Sequence, residues 1–309
     1  MIRRAAASTG NTRPGSAISS IGAIITTLLL SGCANVFQGD DGGGGGGGTD
    51  GPGARLYDHA AGVEDVLVSI TSGGGFVPVE YNLRNLPQFL LLGDGTAIVG
   101  GVTIAIYPGP ALQPLQSAIL SEGQIQELFT VADDAGLLAG EIDFGEPPVA
   151  DAPTTTVEIS VDGRTVTQSA YALDFSDDPS FGLSEAEMAA RAGLQSFIET
   201  AQGMVGSASA GYEPNGVVVY RLGPYEGPPA DEPELDQPPQ TWPIETAPAV
   251  PTTTEPGAAT CVVVSGPEVP TLLAALAEAN ELTPWLIGSD PPARMVFRPL
   301  LPGDPGCAG

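Results

Sequence analysis

The chain has no lysine: its ten basic residues are all arginine, against 37 aspartates and glutamates. A surface with that balance repels phosphate backbones and anionic headgroups, so nucleic-acid binding is excluded. Histidine is nearly absent too, with His59 alone. Zinc centres built on two or three histidines, and H-E-x-x-H chemistry, are therefore out of reach. A Ser-His-Asp triad would have to use His59, yet no G-x-S-x-G elbow is present to supply a nucleophile. Beside Tyr57 and Asp58, His59 reads as a surface residue. No apolar run reaches the roughly 20 residues that a membrane-spanning helix needs.

What is present begins with an export signal. Arg3, Arg4 and Arg13 supply a positive region, no acidic residue precedes Asp40, and residues 18–30 form an apolar stretch of signal-peptide length. The stretch ends in Leu30-Ser31-Gly32-Cys33, which resembles the lipobox of bacterial lipoproteins. That resemblance implies acylation of Cys33, cleavage before it, and a membrane anchor on the extracytoplasmic face. One acyl chain binds a membrane only marginally, whereas a diacylglyceryl cysteine holds stably. The alternative is a retained apolar anchor with an incidental cysteine. Without the signal, seven arginines face 37 acidic residues, a net charge of −30. The acidity is expected to serve solubility rather than a binding site.

Residues 1–32 are thus expected to be the signal, and residues 33–53 a tether. Seven consecutive glycines, Gly42 to Gly48, cannot nucleate a helix or pack a core. Sixteen residues of such chain span about 22 Å on average and about 55 Å at most. Residues 54–309 remain for the globular part. Within it residues 224–257 are proline-rich and read as a surface loop or linker, and residues 258–309 as a C-terminal part of the same fold. Exported chains meet oxidising conditions, so Cys261 and Cys307 read as one disulfide, worth about 4 kcal/mol on the chain-entropy model. Two free redox thiols are the alternative, but C-x-x-C spacing is missing.

The hydropathy pattern gives an α+β fold of antiparallel β-hairpins with about three packed helices. Strands are expected over residues 63–71 and 102–107, with a hairpin around Gly93-Asp94-Gly95 and another around Asp162-Gly163. Ser121 with Gln124, and Ser184 with Glu187, form capping-box patterns. The first opens a helix ending at Gly136, the second a helix to about Gln202 with Met188, Leu194, Phe197, Ile198 and Ala201 inward. Hairpin-then-helix therefore occurs twice, as a possible repeat. Strands over 216–222, 260–265 and 293–299 enclose a last helix over 268–280, with Pro270 in its first turn.

Motifs for chemistry are sparse. Gly73-Gly74-Gly75 lacks any phosphate-loop pattern and reads as a flexible turn. Acidic pairs at Asp133-Asp134, Glu141/Asp143 and Asp177-Asp178 could serve a glycosidase, but pairs arise by chance among so many carboxylates. A calcium site at Asp174, Asp177 and Asp178 matches no loop signature. Trp242 and Trp285 read as core, with an aromatic–arginine sugar or cation site involving Trp285 and Arg298 as the alternative.

Three stretches carry a further resemblance. They are Leu86-Pro87-Gln88-Phe89 with Gly93-Asp94-Gly95, Asp151-Ala152-Pro153-Thr154-Thr155, and Arg298-Pro299-Leu300-Leu301-Pro302 with Cys307. Together they resemble a group of uncharacterised actinobacterial lipoproteins. That likeness implies export and a cell-envelope setting, and brings no active-site residues. The expected function is a non-enzymatic binding or interaction module for an envelope protein, a wall component or a small hydrophobic ligand. No cofactor, metal or catalytic residue is assigned. The other reading is a hydrolase of envelope polysaccharide or peptide that uses paired carboxylates.

Overall fold

The computed structural model describes residues 55–175, 181–206, 209–252 and 258–307. Cys33, the signal, the tether and the pair Asp177-Asp178 lie outside the described residues. The described part belongs to one compact unit, Ala54–Gly309. It is α+β, as the hydropathy pattern implies, and carries two sheets.

The first sheet has seven strands: β1 (Val66–Gly73), β2 (Phe89–Leu92), β3 (Thr96–Gly100), β4 (Leu115–Ile119), β5 (Thr154–Val161), β6 (Arg164–Tyr171) and β7 (Ala210–Tyr212). Their order is β6-β5-β1-β2-β3-β4-β7, every pair antiparallel. Both Asp-Gly turns fall where expected. Asp162 and Gly163 take φ of 52° and 71°, the left-handed pair that a two-residue hairpin of this twist requires. Gly95 also has positive φ, and a Cβ there would stand 2.5 Å from the Leu120 carbonyl oxygen.

Helix α2 (Glu122–Asp134) opens on the Ser121/Gln124 capping box and stops at Gly136, whose φ is 74°. The longer α3 (Glu185–Val205) opens on the Ser184/Glu187 box. Both helices cover one face of the first sheet, where Ile125, Leu128, Phe129, Leu194 and Phe197 meet Val68, Ile70, Phe89 and Val157. On α3, Met188 is exposed at 39%, against expectation; the inward face at that turn belongs to Arg191. Arg191 is fully buried, and its guanidinium donates to the carbonyls of Phe144, Gly145, Tyr171 and Ala172. Burial pulls its pKa down, opposed by the attraction of Glu187 one turn earlier.

The second sheet has the order β10-β8-β12-β11-β9. Its strands are β8 (Gly216–Pro224), β9 (Gln240–Thr241), β10 (Thr260–Ser265), β11 (Trp285–Leu286) and β12 (Ala293–Pro299). Helix α4 (Val269–Ala277), with Pro270 in its first turn, packs Leu272 and Leu276 onto Val217, Val219, Trp285 and Phe297. The proline-rich stretch is more than a linker. It supplies β9, which pairs parallel to β11, and the buried Trp242.

One strand expectation fails. Residues 102–107 form no strand, and β3 pairs instead with Leu115–Ile119. The chain leaves the sheet at Gly100-Gly101, where a Cβ on Gly101 would meet Pro114 at 3.0 Å, and returns only after Pro114. A short helix, α1 (Val79–Leu83), follows Gly73-Gly74-Gly75, the last two with φ near 85°.

Replacing Arg191 with leucine keeps the volume but strands buried carbonyls. Urea denaturation is expected to show a loss of about 3–5 kcal/mol, with the far-ultraviolet spectrum of the folded form unchanged.

Candidate functional site

The chain enters the described unit at one end of the first sheet. Arg55 reaches Asp162 in the β5–β6 turn at 2.7 Å and Asp133 at the end of α2 at 2.9 Å. Asp58 exchanges backbone bonds with the same turn, donating to the Asp162 carboxylate and accepting from the Asp162 N–H. The donated bond from Asp58, then the Arg55 contact, hold the Asp162 carboxyl below its ordinary pKa. β1 then runs away from this end, and its eight residues carry the sheet roughly 26 Å.

At the far end stand α1, the 101–114 loop and the edge of the second sheet. One carboxylate joins them. Glu281, just past α4, pairs with Arg84 at the end of α1 and accepts the Gly109 N–H at 2.6 Å. Its own N–H donates to the Gly109 carbonyl at 3.0 Å. Arg84 and Glu281 side chains are only 17% and 20% exposed, so the pair is largely shielded from water. A second ion pair, Glu80 on α1 with Arg294 on β12, repeats the link further out. Beyond Gly109 the loop places Ala111 in the second core, with Leu112 packed against it.

These contacts frame a groove of about 940 Å³, lined by Glu80, Tyr107, Tyr225, Glu232, Leu235 and Arg294. A smaller recess of about 200 Å³ continues it past Tyr81 and Tyr107 to Arg84 and Glu281. On the other side of the Arg84–Glu281 pair lies a depression of about 460 Å³, flanked by Tyr81, Thr103 and Gln113. Partial burial and the nearby Glu281 and Glu232 raise the Tyr107 pKa. Over the rim, residues 102–107 are all exposed, with Val102 at 83%, Ile104 at 73% and Ile106 at 60%.

The residues singled out by sequence lie elsewhere. His59 sits at the chain entry, its Nδ1 at 2.7 Å from the Ala60 carbonyl and its Nε2 at 3.2 Å from Glu122. Asp133 serves Arg55 and the Tyr57 hydroxyl, and Asp134 is exposed. Asp143 accepts the Gly145 N–H, while Glu141 is exposed. Asp174 lies in a short 3-10 turn. Among the described residues the carboxyls with shifted pKa, Glu122, Asp162 and Glu268, are all lowered, the opposite of what a general acid needs. Among the described residues no cluster of His, Cys, Asp and Glu is placed to hold a metal ion.

Trp285 is core: fully buried, edge-on to Trp242 and Phe297 at 5.6 Å each. Arg298 instead contacts the Tyr220 hydroxyl, Asp304 and the Gly306 carbonyl. That clamp lies beside the Cys261–Cys307 disulfide, S–S 2.09 Å, Cα–Cα 5.6 Å, sequence separation 46. The groove residues Glu80, Arg84, Tyr107, Glu281 and Arg294 were not legible as a set, since Arg84 and Glu281 stand 197 positions apart. Comparison with protein-family models, curated proteins and solved structures finds no match to this chain.

Glu281→Gln removes the charge and leaves Arg84 unpaired in a shielded place. Urea denaturation is expected to show a loss of about 2–4 kcal/mol, and Arg84→Met in the same chain should restore part of it.

Proposed function

We propose that the protein is a lipid-anchored extracytoplasmic binding module, tethered through Cys33. The observation that carries the reading is the groove together with its apolar rim. They occupy the end of the first sheet opposite Arg55, the first described residue. A contiguous exposed apolar surface on a protein this acidic marks a place of contact. Three tyrosines, Tyr81, Tyr107 and Tyr225, line the groove and its recess, a composition suited to binding through large, stiff, amphipathic side chains. The lipobox-like sequence ending in Cys33 and the cross-linked Cys261 and Cys307 support an exported setting. The hydrolase reading has less support: Glu80 and Glu281 are engaged with Arg294 and Arg84, and the other groove carboxylates, Glu226 and Glu232, are exposed on the proline-rich wall.

Two measurements on the expressing bacterium test this. Cys33→Ser is expected to move the protein from the membrane pellet to the medium and to abolish fatty-acid labelling. A photo-crosslinking residue at Tyr107 in the anchored protein is expected to give a discrete adduct on intact cells, and one at Glu158 on the exposed sheet face none. Persistent membrane attachment of Cys33→Ser would refute the anchor. Equal adducts at both positions would refute the groove.

A further inference from the structure

Residues 102–107, Val-Thr-Ile-Ala-Ile-Tyr, have the period-two apolar pattern of a strand, yet they pair with nothing. Within the segment the backbone bond is that from the Ile106 N–H to the Ile104 carbonyl; among the described residues the other N–H and C=O groups have no backbone partner. Both flanks are fixed. Gly101 donates to the Pro114 carbonyl at 2.7 Å, and Gly109 is held twice by Glu281. The segment is thus presented on two anchors rather than trailing free. Natural proteins protect such edges with charge, above all lysine, and here protection is missing. No residue from Gly95 to Ser121 is charged, in a chain with 37 carboxylates.

We infer, building on the binding-module reading, that residues 102–107 accept an extended apolar segment of a partner protein, flanked by basic residues, by strand addition. The exposed side chains of Val102, Ile104 and Ile106, on backbone that is unpaired apart from the Ile104–Ile106 turn, select the extended apolar centre. The basic flanks follow from charge complementarity. The neighbouring proline-rich wall exposes Glu226, Asp231, Glu232 and Glu234, and Glu232 lines the groove together with Tyr107. The same acidic wall disfavours the other two occupants. A second copy would bring its own acidic wall against this one, and an anionic lipid surface would be repelled.

The test uses the full exported chain in detergent and a fluorescent synthetic peptide of alternating valine and threonine with arginines at both ends. Anisotropy is expected to show saturable binding that weakens severalfold at high salt. Glutamate ends, or N-methylation of alternate peptide amides, should each weaken it about tenfold or more. The double variant Ile104→Thr, Ile106→Thr, whose changes lie outside every core, should do the same while keeping the wild-type melting temperature. Equal binding of arginine- and glutamate-ended peptides, or no effect of the double variant, would overturn the inference. So would flotation with phosphatidylcholine vesicles, or a concentration-dependent dimer in sedimentation, if the double variant abolishes either. If the peptide fails to bind while Tyr107 still crosslinks on cells, the partner class is wrong and the binding module stands; failure of both removes both.

Discussion

The arrangement at the far end of the molecule depends on one shielded carboxylate. Glu281 lies in the segment between α4 and β11, yet both of its oxygens are committed to the first sheet's connections, one to Arg84 and one to the Gly109 N–H. Taking a carboxylate and a guanidinium out of water is costly, and the cost is met only when geometry is good and the remaining donors find acceptors. Here the backbone adds a bond in each direction, Glu281 N–H to Gly109 and Arg84 to the Glu281 carbonyl, and of this pair only the buried Arg84 Nε–H is left without a partner among the described residues. The two sheets are also joined through apolar contacts. Leu301, past β12, packs with Leu90, Leu92, Ile98 and Leu115 on the face of the first sheet away from its helices. The apolar contact brings the layers together, and the ion pair fixes where α1 and the 101–114 loop stand.

The scarcity of cations explains much of the rest. Seven arginines occur in the described residues, and each has a structural partner. Arg55, Arg84, Arg221, Arg294 and Arg298 pair with carboxylates, Arg164 reaches the Leu138 carbonyl, and Arg191 holds four carbonyls. Carboxylates without a cation therefore dominate the charge of the described residues. Against that background an uncharged, exposed, β-prone segment is conspicuous as a contact surface in a way it would not be on a mixed-charge protein.

Legibility in the sequence followed the range of the interactions. Capping boxes at Ser121 and Ser184, the Asp162-Gly163 turn, and the strands at 260–265 and 293–299 depend on neighbours within a few residues, and each was readable. Residues 102–107 show the limit of that logic. Their alternation is that of a strand, but pairing depends on what lies beside them, and Gly100-Gly101 with Pro108, Pro110 and Pro114 carries them off the sheet. The short strands β4 and β7 were missed because their residues, Gln116 and Ser117 or Ala210 and Gly211, carry little hydropathy signal. Arg191 was invisible for a different reason. A charged residue on an apolar helix face reads as solvated unless the waiting carbonyls are known, and those come from two distant loops. The groove needed the same kind of knowledge, since its walls come from α1, the 101–114 loop, β8, the proline-rich stretch and β12.

A preformed groove requires the two sheets to behave as one body joined at Glu281. Amide hydrogen exchange at Gly109 and Glu281 tests this most directly. If the clamp opens only when the molecule unfolds, both amides should exchange at the slow rate of Ile98 in the first sheet and Val219 in the second. If Gly109 and Glu281 instead exchange orders of magnitude faster while Ile98 and Val219 stay protected, the sheets part at this end in the native state. The groove would then not be a preformed site.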